Sequence, residues 1–441
     1  MTQTFDLTIV GAGLAGSEAA WQAAQRGAKV LLYEMRPDVQ TPAHKTGLFA
    51  ELVCSNSLKS NELVRAGGIL KEELRRLDSL ILKAADATAV PAGSALAVDR
   101  ELFAAQITAA IEGHPNITIR REEVSQIPEG LAIIASGPLT SQPLARALYS
   151  ITGKSYLFFY DAISPIVDVD SIDRDKVYLA SRYDKGEAAY INCPMNVAEY
   201  DAFYDALMGA EISLHADVDP KELYEGCLPV EIIGKRGKES LRFGPMKPVG
   251  LRDPRTGETP YAVVQLRPEN NDLTMYNLVG FQTSLRWGEQ ERVFKMIPGL
   301  ERAEFLRFGA VHRNTYINAP TLLRPTYQLR TRDDLFFAGQ ITGVEGYMES
   351  TAAGWVAGVN ATRLLQGKEL LVFPKDTLMG ALANHITTAD PESFQPMNAN
   401  LGILPALPPG ARMSKQEKKE QRAIIALAAL KAYLESWGEA V

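Results

Sequence analysis

Two of the three cysteines in this 441-residue chain lie where a thiol could do chemistry. Cys54 closes the apolar approach "GLFAELV" and is followed at once by Ser55, Asn56 and Ser57, residue types that hydrogen-bond locally in turns. A free cysteine in such a place is either a small buried filler or a thiol presented at the mouth of a site, and the local residues leave both readings open. Cys227 lies in "LYEGCLPVEIIGKRGKESLRF", between Gly226 and Leu228-Pro229, and Lys235, Arg236, Lys238 and Arg242 follow it. A loop thiol beside cations favours the thiolate, which is the nucleophilic form. Here too a structural role stays open. Cys193, in "YINCPMN", has no basic cluster nearby and is expected to be structural. Neither C-x-x-C nor Cys/His zinc spacing occurs, so no metal site is expected, and three unpatterned cysteines argue for a reducing compartment.

A second constellation belongs to phosphate binding. "FDLTIV" has strand length and apolarity, and runs into "GAGLAG" at residues 11–16, then into the alanine-rich "SEAAWQAAQRG" ending at Gly27. Gly11 permits the tight turn, Gly13 lets a pyrophosphate approach the backbone, and Gly16 allows close helix packing. The amides of Ala12, Leu14 and Ala15 complete the loop at the helix N-terminus, where phosphate is favoured. "AKVLLYE" supplies the next strand, and Glu34 at its end stands 18 residues after Gly16, near the distance at which a carboxylate grips a ribose hydroxyl. FAD and NAD both satisfy this much.

Two later segments select FAD. "GLAIIASGPLTS", 130–141, is an apolar strand ending near Gly137 and resembles the Ala-Thr-Gly strand of two-dinucleotide flavoproteins. "DDLFFAGQITGVEGYMESTAAGWVAGVNATR", 333–363, reads as strand, glycine-rich turn and small-residue helix, and resembles the C-terminal FAD motif of the glutathione-reductase-like superfamily. That resemblance implies cofactor contacts at Gly339, Gln340 and Gly346, with the helix N-terminus favouring the charge of reduced flavin. Gln340 stands where the superfamily usually has aspartate, and its amide can still bond ribityl hydroxyls. No second G-x-G-x-x-G exists, so NAD(P)H is expected to approach the flavin from the substrate face rather than from a domain of its own.

These elements imply an α/β protein: a Rossmann-like FAD-binding domain, discontinuous over 1–165 and 285–441, with a mixed α+β insertion at 166–284. In the insertion, "NVAEYDAFYDALMGA" is expected to be a helix capped by Asn196 with Glu199 three residues on. "KVYLASRYD", "PYAVVQLRP" and "TMYNLVGFQ" are expected to be strands. Hydrophobic content of 46% and charged content of 22% are ordinary for a globular protein, and no apolar run approaches a membrane span. With no basic region before the first strand, the chain is expected to be cytoplasmic. A net charge of −7 disfavours indiscriminate nucleic-acid binding without excluding a local basic patch.

Taken together, "VGAGLAGSEAA", "EMRP", "TPAHKT", "FAELVCSNSLKS", "VPAGSALAVDRE", "FGPMKPVGLRDPRTG", "VGFQTSLRW", "HRNTYINAP", "AGQITGVEGYMES" and "NANLGILP" resemble the folate- and FAD-dependent tRNA (uracil-5-)-methyltransferase family over nearly the whole chain. The resemblance implies that 5,10-methylenetetrahydrofolate gives its one-carbon unit, by way of reduced FAD, to C5 of the T-loop uridine (tRNA position 54), with NAD(P)H as reductant and no protein partner. Uracil C5 needs a nucleophile at C6 before it can attack, and a thiolate both adds and leaves readily. The family's "GCLPVE" cysteine matches Cys227, implied to form that adduct. Its "VCSNS" cysteine matches Cys54, implied to act as acid/base or to shield the flavin. A related flavoprotein modifies wobble uridines with a GTPase partner and carries a long C-terminal helical domain that this chain is too short to hold. A small-molecule flavin oxidoreductase is the other alternative, and would leave the Cys227 loop as ordinary surface.

An RNA substrate calls for cations. "RMSKQEKKEQR", 412–422, is locally +3, and Ser414 with Glu417 forms a capping box for a helix over 414–436. Leu427, Leu430, Leu434 and Trp437 form its docking stripe. Lys415, Lys418 and Lys419 then point away from that stripe towards phosphates, or merely solvate the helix. Asn314 and Tyr316 in "HRNTYINAP", and Arg286 in "VGFQTSLRW", are expected at the folate or RNA.

Overall fold

The strand Leu7–Val10 is apolar on both faces because it lies in the middle of a parallel sheet. The computed structural model describes residues 4–152, 156–162, 164–184, 187–213, 228–407 and 413–437. In it Leu7–Val10 pairs with Val30–Glu34 on one side and Ala132–Ile134 on the other. Ile117–Arg121 extends one edge, and Arg332–Phe337 joins the other, Phe336 standing opposite Ile133. A short antiparallel strand, Gln328–Leu329, completes the six. One sheet thus draws on both ends of the chain, as an FAD domain interrupted by an insertion requires.

The glycines explain how tightly the helices sit. A Cβ on Gly16 would lie 1.7 Å from the carbonyl oxygen of Gly11, so the helix Leu14–Gln25 leaves the turn in backbone contact with it. The long helix Tyr347–Leu365 then packs on Leu14–Gln25: a Cβ on Gly354 would meet the Ala15 carbonyl at 2.2 Å, and one on Gly358 the Ala19 carbonyl at 2.5 Å. Small residues in "STAAGWVAGVNAT" therefore serve helix packing as well as the cofactor.

The insertion forms a second, antiparallel sheet in the order Tyr178–Leu179, Ile191–Met195, Ala262–Pro268, Met275–Leu278, Ile166–Asp168, Phe305–Arg307. Asn196 and Glu199 close the expected capping box on the helix Val197–Met208. "KVYLASRYD" is strand only at Tyr178–Leu179; the chain turns at Arg182–Asp184, where Tyr183 takes φ 59°. The expected return at residue 285 is too early. Leu285, Val293, Phe294, Ile297 and Leu300 are buried in the insertion's own core, and Phe305–Arg307 forms its sheet edge. The chain leaves and returns through an antiparallel pair, Tyr156–Ala162 with Val311–Ile317.

The C-terminal helix Lys415–Trp437 begins at the predicted cap, Ser414 Oγ accepting from the Glu417 amide at 3.2 Å. Ala423, Ala426 and Leu430 are buried, and Tyr433 and Trp437 cluster with Phe373 and Trp355. No helix among the described residues is long and apolar enough to cross a membrane.

Candidate active site at the flavin cleft

A cleft with about 1030 Å³ of empty space opens at the carboxyl ends of the parallel strands, where such sheets bind their ligands. Gly11, Gly13, Leu14, Ala15, Glu34, Gly137, Gly339 and Gln340 all line it, bringing together three segments far apart in sequence. A Cβ on Gly13 or Gly137 would touch nothing within 4 Å, so backbone faces open space there. Ala12 lies beneath, fully buried, and Gly16 serves packing rather than contact. Backbone laid bare over an empty cleft at the N-terminus of Leu14–Gln25 fits a pyrophosphate.

Glu34 lines the cleft, but its carboxylate is already engaged. Oε2 accepts the Ala12 amide at 3.0 Å and Arg36 Nη2 at 3.2 Å, while Oε1 accepts the Arg36 amide at 3.0 Å and Nε at 2.9 Å. A carboxylate has about four acceptor positions, so a ribose hydroxyl would have to share one. Burial works to raise its pKa, yet the bonds and charge of Arg36 hold it below the usual range. Arg36 also pairs with Glu51 at 3.2 Å. Arg36 was legible only as part of "EMRP". His44, hydrogen-bonded to Thr41 Oγ1 at 2.5 Å, lines the same wall; burial and then the Arg36 charge bring its pKa down to about 4.

At the other end, Gly346 takes φ 120° and releases the helix that starts at Tyr347. The Tyr347 phenol oxygen accepts the amides of Cys54 at 2.9 Å and Ser55 at 3.3 Å, and lies 3.0 Å from Cys54 Sγ. On the opposite side Arg100 Nη1 donates to the Leu52 carbonyl at 2.8 Å, and Arg307 Nη2 to the Val53 carbonyl at 2.7 Å. The polar residues after Cys54 tie the loop to the insertion: Arg267 donates to Asn56 Oδ1 at 3.0 Å and Ser55 Oγ at 2.7 Å. Cys54 is only partly buried, whereas Cys193 is buried in the insertion core, where burial pushes its thiol far up. Cys54 thus sits at the junction of the domains with its Sγ against the cleft-lining Tyr347.

The remaining candidates fall elsewhere. Gln340 Nε2 donates to Glu345 while lining the cleft. Tyr316 is a core residue rather than a ligand contact: it is buried, hydrogen-bonds the Phe394 carbonyl at 3.3 Å, and burial raises its pKa to about 12. Strand alternation in Val311–Ile317 turns its ring inwards. Asn314 is likewise buried. Arg286 lies on the insertion surface, paired with Glu211 at 2.7 Å. Lys415 and Lys418 are exposed and Lys419 half-buried at the start of the C-terminal helix. Cys227 lies outside the described residues.

A parallel dinucleotide sheet, with a bare glycine turn at one end of the cleft and a second helix N-terminus at the other, defines an FAD-binding flavoprotein. The model of the family described as "Glucose inhibited division protein A" matches residues 6–369. Among solved structures, GidA of Aquifex aeolicus in its form I crystal is similar with a TM-score of 0.69 at 18% identity, over 97% of this chain and 76% of that one. Among curated proteins, the methylenetetrahydrofolate–tRNA-(uracil-5-)-methyltransferase TrmFO of an Exiguobacterium species is 59% identical over 428 residues, 97% of this chain and 98% of that protein. The TrmFO of Halalkalibacterium halodurans is 61% identical over 401 residues, 91% of this chain and 92% of that protein. The chain belongs to this family of folate-dependent tRNA uracil-5-methyltransferases.

Proposed function

We infer that this chain transfers a one-carbon unit from 5,10-methylenetetrahydrofolate to C5 of a uridine in tRNA, yielding 5-methyluridine. The observation that carries this reading is 59% identity over 97% of the chain, and 61% over 91%, to curated methyltransferases, set on a flavin cleft with a thiol held against one of its lining tyrosines. Bound FAD supplies the acceptor for the carbon and the two electrons that take methylene to methyl; NADH or NADPH restores them. The glycine turn would hold its pyrophosphate, and the N-terminus of Tyr347–Leu365 would favour negative charge on its reduced ring.

The chain's own groups manage the uracil. The thiolate of Cys227 adds to C6, and the electron pair released at C5 forms the new carbon–carbon bond. Loss of the C5 proton to a base then breaks the carbon's bond to its carrier nitrogen and leaves an exocyclic methylene at C5; a hydride equivalent arriving at that carbon makes it methyl, expels the thiolate from C6 and restores the ring. Cys54 is suited to proton handling at the flavin, because its loop is fixed on both sides by hydrogen bonds. Lys415, Lys418 and Lys419 contact phosphates of the T arm, and the T-loop uridine is the target. The reaction places the protein in the cytoplasm with tRNA.

The test is to incubate the protein with methylenetetrahydrofolate, tRNA lacking 5-methyluridine, and NADH or NADPH in separate reactions, and to analyse nucleosides by mass. 5-Methyluridine at the T-loop position is expected. A carboxymethylaminomethyl product, or flavin oxidation without RNA modification, would refute the reading.

A further inference from the structure

A second cleft, with about 2150 Å³ of empty space, opens between the FAD domain and the insertion, separated from the flavin cleft by the loop that carries Cys54. Its insertion wall is a ladder of three aromatic rings. Trp287 stacks on Phe308 with centroids 5.7 Å apart and planes at 15°; Phe308 stacks on Phe305 at 5.4 Å and 17°. Phe305 packs against the insertion core, so the ladder is open only at Trp287, which is 67% exposed. A tryptophan left in water at the end of a parallel stack offers a flat face sized for another ring.

Beside the ladder, the guanidinium of Arg307 lines the same cleft. It donates to a neutral carbonyl, that of Val53, and among the described residues no carboxylate forms an ion pair with it. The neighbouring Arg100 is neutralised by Glu269. Burial, and then the charge of Arg100, press the Arg307 pKa downwards. Arg307 is half-buried, and the Glu269 carboxylate that acts on it is held by Arg100, so an anion in direct contact with it would be favoured.

We propose that this cleft seats one nucleotide, its base stacked on the open face of Trp287 and its phosphate on Arg307. Two reactants of the proposed function carry such a group: the tRNA and the reduced nicotinamide dinucleotide. The cleft favours the RNA. Arg307 and the exposed Lys45 are set against exposed carboxylates at Glu101 and Asp272 on the lining, Arg100 being paired with Glu269, and so little net positive charge suits a single phosphodiester better than a pyrophosphate. The seat thus holds an unstacked nucleotide next to the one presented at the flavin, and keeps the loop open for modification. The choice of source rests on the proposed function; the seat does not.

The test uses flavin-loaded Trp287→Ala, Trp287→Phe and Arg307→Gln, the glutamine keeping a donor for the Val53 carbonyl. One arm measures anisotropy of a labelled T-arm hairpin over a range of salt, and the other the KM for NADH and NADPH in flavin reduction. Trp287→Ala is expected to weaken RNA binding about tenfold, the size of one stacked base, and Trp287→Phe to restore most of it. Arg307→Gln should weaken it too and lower the salt slope by about one unit. A rise in the dinucleotide KM with RNA binding intact would assign the seat to the reductant, and a rise in both with flavin retained would assign it to each in turn. No change in either arm, or binding lost only in step with flavin, would overturn the seat. Because 5-methyluridine formation at saturating substrates is scored separately, that outcome stays distinct from failure of the proposed reaction.

Discussion

The geometry around Cys54 makes a definite claim about one proton. The Tyr347 oxygen has two lone pairs and both face amides, those of Cys54 and Ser55, so its single hydrogen is left to point at Sγ, 3.0 Å away. Burial, and then a charge on Cys54, hold the phenol pKa well above its ordinary value, so the proton stays on oxygen at neutral pH. A hydrogen bond to an ionised acceptor contributes about 1.5–3 kcal/mol. Tyr347→Phe should therefore lower the thiolate population at pH 7 by roughly 10- to 150-fold, since a tenfold change is about 1.4 kcal/mol. Two amides also lose their acceptor, at about 1–3 kcal/mol of stability in all if water replaces part of it. The assay is alkylation of Cys54 by iodoacetamide, followed by peptide mass spectrometry from pH 6 to 10. The variant should react more slowly at pH 7 and converge with the parent at high pH, where both thiols are ionised. Equal rates at pH 7 would refute the proton assignment. A constant ratio at every pH would also refute it, because the effect would then be one of access.

Four further outcomes follow from the geometry. Gly13→Ala should fold, because a Cβ there meets no protein atom, but hold less flavin, because the methyl enters the space left for the pyrophosphate, and Gly13→Glu should emerge colourless, its carboxylate repelling the phosphates; absorbance at 450 nm per protein decides this. Gly16→Ala, whose Cβ would fall 1.7 Å from the Gly11 carbonyl, should cost both flavin and melting temperature. Reversing Lys415, Lys418 and Lys419 to Glu should weaken tRNA binding and flatten its salt slope by about one unit per lost contact, with flavin reduction unchanged. In flavin-free protein, folding keeps His44 neutral down to about 4 while the unfolded chain takes its proton near the ordinary 6.5, so stability falls as pH drops through that window. His44→Asn should flatten that fall in urea titrations, and an unchanged pH profile would show the imidazole to be solvated.

The parts of this fold that obey local rules were legible. The glycine turn, its flanking strand and helix, and the capping boxes at Asn196 and Ser414 all depend on neighbours within a few residues. What escaped the reading depends on contacts across the chain. Tyr347 stood in plain view within "GYMES", yet nothing local says that its hydroxyl lies against Cys54. Arg100 and Arg307 gave no motif at all, because their partners are the carbonyls of Leu52 and Val53. Tyr316 was misplaced for a related reason. The donors around it suggested a ligand, but a one-residue step along a strand decides which face a ring occupies. Glu34 was expected to hold ribose, and only the structure shows Arg36 folding back on it. The insertion border came out early because the helix Trp287–Phe294 has no composition that separates it from the FAD domain.

The contact of Gly354 and Gly358 with Ala15 and Ala19 has a consequence for how the protein is made. The helices Leu14–Gln25 and Tyr347–Leu365, which start at the two ends of the cleft, touch backbone to backbone, and the strand Arg332–Phe337 docks directly beside Ala132–Ile134. On a ribosome the first of each pair emerges long before the second, and the insertion, with a core of its own, comes out between them. The nascent chain thus has an early half-cleft that nothing closes, and it must keep that half soluble while the middle folds. Cofactor capture is a late event in synthesis, and translation products that stop before residue 332 should be colourless however well their first domain segment is formed.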